Sequence, residues 1–337
     1  MKQMMFLPLN ANKYDCIDYA KIVLAIFVIA AHSCLEQAVE LDFIRNCLYQ
    51  LWRDAVPLFF VLSGFLLWRK TKTSLKSEKL SRIKKFINHS LKLYIIWTCI
   101  YLPYTIYGFY TDEISITKSI AIFLRNFFLV GENYFSWHLW YMHGMVVAGM
   151  ILFTLVKCNC KLYIMCVIAI TLAIIGQLID WMNCHDINAK VLDYYYLAFS
   201  TIRNGIFVGF PFIMIGVFIA EKGIIRSHLV NMILLLLGIC TYVMGQTFFA
   251  NMIIIFTVVQ FLFKIPTSKL EKTLPEKCRL ASTVVYFVHM IWIGVLTFII
   301  TVDSSLLKFL LTVILSSILA FLADINPNSK LVKVLFK

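Results

Sequence analysis

Lys21 and His32 stand eleven residues apart in DCIDYAKIVLAIFVIAAHSCL, an otherwise apolar run. At about 100° per residue they return to within about 20° of one helix face, separated by about 16 Å along the axis. Ionisable groups inside an apolar run are costly, so each is a functional candidate. An imidazole titrates near neutral pH and suits proton transfer. Asp18 precedes Lys21 by three residues and is expected to pair with it. It lies about 21 Å from His32, too far to orient that ring. Arg53 opens RDAVPLFFVLSGFLL. If that run crosses back, Arg53 lies at the depth of His32, which argues for more than an interface anchor. The plainer reading of these groups is a snorkelling lysine, a packed histidine and an interface anchor.

Other candidates recur at the same end of later runs. His138 sits among Trp137, Trp140 and Tyr141, rings that fit an interfacial belt. His143 lies about 140° around the helix from His138 and is not an obvious partner. Arg203 precedes Asn204 and Gly205 at another outer mouth. His289, in STVVYFVHMIWI, reads as a packed, hydrogen-bonded histidine rather than a catalyst. Pro57 invites a kink, and Ser63-Gly64 allows close helix approach.

The elements that must hold these residues follow from composition. The 337 residues are 61% hydrophobic and 15% charged, and mean hydropathy is +0.83. Soluble domains carry about a quarter charged residues. This excludes an ordinary soluble enzyme, a disordered chain and a nucleic-acid-binding domain, despite a net charge of +13. A polytopic all-α membrane protein remains. A spanning helix needs about 20 mostly apolar residues. Ten stretches qualify: 17–36, 50–68, 87–108, 138–156, 162–180, 205–220, 229–245, 247–264, 282–300 and 306–323. Residues 119–130 are too short to span and read as an interfacial amphipathic helix.

The 31 basic residues orient this arrangement. With both termini cytoplasmic, only Arg45, Lys118, Arg125, Lys190 and Arg203 fall outside, and Lys21, Arg53, Lys92 and Lys308 fall within spans. That is the positive-inside pattern. The loop WRKTKTSLKSEKLSRIKK (68–85) supplies much of the bias and reads as an anchor near anionic lipid. No cleavable signal peptide, Walker motif, dinucleotide fingerprint or second soluble domain is expected. The ten cysteines form no CxxC pair and no Cys/His cluster at metal spacing, so no metal is expected. Cys158 and Cys160 read as free thiols, and Cys47 with Cys184 is a weak pairing candidate.

Taken together these pieces resemble the membrane-bound acyltransferase family 3, bacterial proteins that acylate hydroxyls of surface carbohydrates. The resemblance covers essentially the whole chain as one transmembrane domain, residues 1–337. Its strongest part is a basic residue, ten residues, then His, carried by Lys21 and His32 after Ile17-Asp18. Arginine is commoner than Lys21 at that place, so the charge is kept and the bidentate fork lost. The second part is Arg-x3-Pro-x-Phe-Phe-x2-Ser-Gly-Phe, carried by Arg53, Pro57, Phe59, Phe60, Ser63, Gly64 and Phe65. HLWYM (138–142), RNGIFVGFPFIMIG (203–216) and VVYFVHM (284–290) are weaker matches.

The resemblance implies an acetyl or other acyl group moving from cytoplasmic acyl-CoA to a hydroxyl of a surface polysaccharide or glycolipid precursor. No permanently bound cofactor is implied; acyl-CoA is a substrate. Lys21 would hold CoA phosphate, His32 would be the general base, and Arg53 would stabilise the oxyanion or bind the acceptor. His138 and Arg203 would bind the acceptor. The setting implied is the bacterial cytoplasmic membrane. A transporter or exporter of a polysaccharide or small metabolite is the competing class, since intramembrane basic groups also suit transport. Against it, no matching pair of broken helices is evident in the two halves.

Overall fold

The computed structural model describes residues 6–7, 15–185, 187, 189–243, 247–265 and 273–337. It is all-helical apart from a two-residue antiparallel pairing of β1 (Phe6–Leu7) with β2 (Ile224–Ile225). In chain order the helices are α1 (Asp15–His32), α2 (Asp42–Arg53), α3 (Ala55–Arg69), α4 (Lys76–Thr111), α5 (Ile116–Arg125), α6 (Trp140–Lys157) and α7 (Leu162–Cys184). Then come α8 (Lys190–Phe199), α9 (Phe210–Lys222), α10 (His228–Val243), α11 (Thr247–Leu262), α12 (Leu274–Phe298), α13 (Ser305–Ile325) and α14 (Lys330–Phe336).

Each of the ten apolar stretches coincides with helix, although 244–246 and 266–272 lie outside the described residues, as does most of the stretch before Asp15. Among the described residues, six segments are long and apolar enough to cross a membrane: Asp42–Arg69, Trp137–Lys157, α7, Gly205–Lys222, α12 and α13. Of the other four stretches, α1 carries Asp15, Asp18 and Lys21 within 18 residues, and α10 and α11 are 16 residues each. The fourth lies in α4, a 36-residue helix whose first part is highly charged. Val167, Ile170 and Ile174 on α7, and Ile314, Ile318 and Phe321 on α13, are all exposed. Apolar faces of that extent fit hydrocarbon rather than water.

Local chemistry sets several boundaries differently from expectation. The stretch 50–68 is two helices, broken at Asp54 between α2 and α3. Pro57 cannot donate to the Arg53 carbonyl four residues earlier, and the interruption falls beside that carbonyl, where the expected proline break belongs. α1 stops at His32 because Cys34 turns left-handed at φ 52° and leads into a 3₁₀ turn, Leu35–Ala38. Residues 76–85, expected as loop, form the first turns of α4. The short stretch 119–130 is helical, α5 followed by a π-turn at Asn126–Val130, and no residue of α5 is buried.

The chain forms two compact units. Met1–Leu62 with Ile219–Lys337 is the first, and Ser63–Phe218 the second. In the first, α12 packs along α1 on one side and α13 on the other, and α10 and α11 form a hairpin. In the second, α4 packs on α6, which also meets the π-turn Gly205–Gly209.

Candidate active site

In the first unit α1 carries both leading candidates on one unbroken helix. Two acidic residues, Asp15 and Asp18, lie in its first turn, where they complement the positive end of the helix dipole. Lys21 and His32 are each partly exposed, so both side chains reach the surface of the unit. His32 is the last residue of α1.

Asp18 is 6% exposed, and Arg279 of α12 grips its carboxylate through Nε at 3.1 Å and a terminal nitrogen at 2.7 Å. That fork clamps the start of α1 to α12. The sequence expectation gave Asp18 to Lys21. A bidentate arginine on a packed neighbour is the better-matched partner for a buried carboxylate.

At the other end of α1 the same helix pair brings His289 to His32, with ring centroids 5.3 Å apart and planes at 38°. His289 is fully buried, and its Nδ1 lies 3.2 Å from the carbonyl oxygen of Val285. Tyr286 stands 6.2 Å from His289, and Phe59 stands 6.4 Å from Tyr286. His289 is indeed packed and hydrogen-bonded, as expected, but it also touches the chief candidate. The helical spacing of one run cannot reveal a partner on another.

Arg53, also in the first unit, is exposed at the end of α2. It donates to the Tyr49 hydroxyl at 3.1 Å and lies over that ring at 5.1 Å. Both contacts run along its own helix, and the structure does not bring Arg53 against His32.

The second unit holds the other two candidates near Trp140. Arg203 lies over the Trp140 ring at 5.2 Å and donates to Glu132 at 2.9 Å. Burial raises the Glu132 carboxyl above its ordinary value, and Arg203 pulls it partly back. His138, 2% exposed in the turn Trp137–Leu139, packs edge-on to Tyr101 at 5.1 Å. Asn204 positions this mouth by accepting from the backbone N–H of Ile206 and Phe207 while donating to Tyr195. Gly205 is needed because a Cβ there would lie 2.7 Å from the Gly144 carbonyl oxygen on α6. His143 stands apart, with Nε2 3.1 Å from the Phe128 carbonyl oxygen and its ring against Tyr94.

A cavity of about 410 Å³ in the second unit went unselected in the sequence. Ser63, Leu66, Leu67 and Phe86 line its apolar part, and Lys70, Arg82 and Lys85 add three cations. Ser63 Oγ lies 3.3 Å from the Tyr141 hydroxyl. Lys79 over Trp68 at 4.2 Å, and Thr71 donating to the Trp68 carbonyl at 2.9 Å, hold the turn between α3 and α4. The signal was present in residues 68–85, but a basic run reads first as a lipid anchor. All ten cysteines, Cys47 and Cys184 included, are free thiols.

Comparison with known proteins places this arrangement. An amino-acid racemase of Enterococcus faecalis is 24% identical over 343 residues, which cover 95% of this chain and 47% of that protein. A serine/alanine racemase of Enterococcus gallinarum is 26% identical over 218 residues, which cover 63% of this chain and 30% of that protein. The chain thus spans less than half the length of these curated relatives. No solved structure matches the chain. The family model described as an acyltransferase domain matches residues 14–325, which take in α1 through α13. The chain belongs to the membrane-bound acyltransferase family 3.

Proposed function

We propose that this acyltransferase moves an acetyl group from cytoplasmic acyl-CoA to a hydroxyl of a surface polysaccharide or glycolipid precursor, with His32 as general base. The observation that carries the reading is α1 itself. It presents a cation at Lys21 and an imidazole at His32, about 16 Å apart on one helix. An extended pantetheine arm is of about that reach, by the dimensions of an extended chain. His32 takes the proton of the acceptor hydroxyl as its oxygen attacks the thioester carbonyl. Arg53 has an exposed guanidinium on a long side chain that can leave Tyr49 to meet the oxyanion.

Two basic groups are offered to the donor's phosphates: Lys21 in the first unit, and Lys70, Arg82 and Lys85 in the second. His138 and Arg203, beside aromatic rings, have the chemistry to grip a sugar or a carrier phosphate. The setting proposed is the bacterial cytoplasmic membrane, with ten spans and both termini cytoplasmic. Because the racemase relatives are named for amino acids, an amino-acid hydroxyl is the second acceptor to test. Transport of a small metabolite is the competing class. Purified protein that consumes acetyl-CoA in the presence of acceptor supports the enzyme; binding and movement of a solute without acyl-CoA consumption supports the transporter.

A further inference from the structure

The chain just past His32 buries a carboxylate where solvation argues against one. Cys34 turns left-handed and folds the 3₁₀ turn Leu35–Ala38 back against α1 and α13. That turn leaves Gln37 and Ala38 exposed but directs Glu36 inward, to 8% exposure. Oε2 of Glu36 is buried without a hydrogen-bond partner, and Glu36 belongs to none of the ion pairs among the described residues. An unpaired buried carboxylate is costly, and in a membrane protein it marks a site.

Other unsatisfied groups gather at the same level of the first unit. Ser33, 2% exposed, has a buried hydroxyl with no partner. His32 meets His289 of α12, and Trp292 stands one turn further along that helix on the same side, about 4.5 Å on. Its indole N–H is buried and has no partner either. α13 packs along α12, and Thr312 lies as deep below its start at Ser305 as Trp292 lies below Phe298. The Thr312 hydroxyl is fully buried and unpartnered. Lys308, one turn nearer the start of α13, is close enough for its charge to act on Cys34, as that of Glu36 does, yet it forms no ion pair with Glu36. Four residues of chain hold the Glu36 and His32 α-carbons within about 14 Å.

We propose that Glu36 is the acceptor-binding residue beside His32, with Ser33, Trp292 and Thr312 completing its subsite. The proposal rests on the reading of His32 as the base. A carboxylate only accepts, an indole N–H only donates, and the two hydroxyls do either. The complement is an acceptor that carries a second hydrogen-bond donor close to the hydroxyl being acylated. A sugar supplies it as a neighbouring hydroxyl, and a hydroxylated amino acid as its ammonium. Glu36 takes no proton in the reaction. The reacting hydroxyl gives its proton to His32 as its oxygen bonds to the thioester carbonyl carbon, the carbon–sulfur bond breaks, and the imidazolium returns the proton to the leaving thiolate.

The test follows thiol release from acetyl-CoA by purified wild type, Glu36→Gln and His32→Ala with two sets of acceptors. Methyl α-glucopyranoside is set against its monodeoxy derivatives, and L-serine against 3-hydroxypropanoate. In wild type one parent should be preferred at least about tenfold over an analogue lacking the second donor, and the set that shows this separates sugar from amino acid. Glu36→Gln should lower kcat/KM for that parent about 10- to 10²-fold, keep the analogue within about threefold, and leave KM for acetyl-CoA unchanged. Without acceptor, Glu36→Gln should melt at or above the wild-type temperature, because it removes an unpaired buried charge. A lower melting temperature, or failure to accumulate, makes Glu36 a structural residue and overturns the proposal. So do equal losses for parent and analogue, a preference that survives in Glu36→Gln, and the absence of any preference or turnover in wild type. These outcomes leave the acyl-transfer reading standing as long as His32→Ala abolishes transfer to the membrane's own glycan; an active His32→Ala overturns both.

Discussion

Asp18 and Arg279 form a two-point ion pair although 261 positions separate them. The pair is lopsided: the Asp18 side chain is 8% exposed and that of Arg279 58%. Loss of Arg279 strands a buried carboxylate, whereas loss of Asp18 leaves a guanidinium that water can solvate. Arg279→Gln should therefore destabilise more than Asp18→Asn, by about 1–3 kcal/mol against under about 1 kcal/mol. Thermal unfolding in one detergent measures both. Equal losses would argue that the clamp is not held by this asymmetry of burial.

The basic cavity yields a kinetic prediction. If Arg82 and Lys85 meet the donor's phosphates, Arg82→Gln and Lys85→Gln should each raise KM for acetyl-CoA about tenfold with kcat little changed. Raised salt should mimic the effect in wild type and add little in the double variant. An unchanged KM would leave the donor's phosphates to Lys21.

Gly64 lies so near the Ile213 backbone that an added Cβ would collide with its carbonyl oxygen. Neither side of that contact is a flexible side chain. Gly64→Ala should lower stability by about 1–3 kcal/mol, and Gly64→Leu should prevent accumulation of folded protein. Yield after detergent extraction, read by size-exclusion profile, checks this.

Glu132 sets a pH dependence whose sign is fixed by its environment. Burial raises its carboxyl above the ordinary 4.5, so the native state binds that proton more tightly than the unfolded chain. The group is least costly below the unfolded value, and stability is lost as pH rises through the folded one. Glu132→Gln should thus be as stable as wild type or more so at neutral pH, and this gain should vanish below about pH 4.5. Melting temperatures of both proteins across pH 4–8 give the comparison.

Much of the architecture was legible in the sequence because length and apolarity of a helix are local properties. Each of the ten apolar stretches coincides with helix over its described residues. The break at Asp54 was legible in kind, since Pro57 cannot donate to the Arg53 carbonyl four residues earlier. Lys21 and His32 could be paired because they share one helix. Arg279 and His289 could not be attached to them, because packing of α12 on α1 joins residues more than 250 positions apart. Arg53 shows the reverse: depth in a span suggested proximity to His32, but the side chain lies along α2 on Tyr49. The cavity beside Lys70, Arg82 and Lys85 needed the turn between α3 and α4 to be folded before its cations could be seen to share a pocket with Ser63.

The central claim is that His32 is the base of an acyl transfer. Membranes carrying wild type or His32→Ala at equal protein level should be given radiolabelled acetyl-CoA and the surface glycan acceptor, and label in the acceptor counted. The account predicts transfer by wild type and a loss of about 10²–10⁴-fold in His32→Ala. Transfer by His32→Ala at the wild-type rate would contradict it.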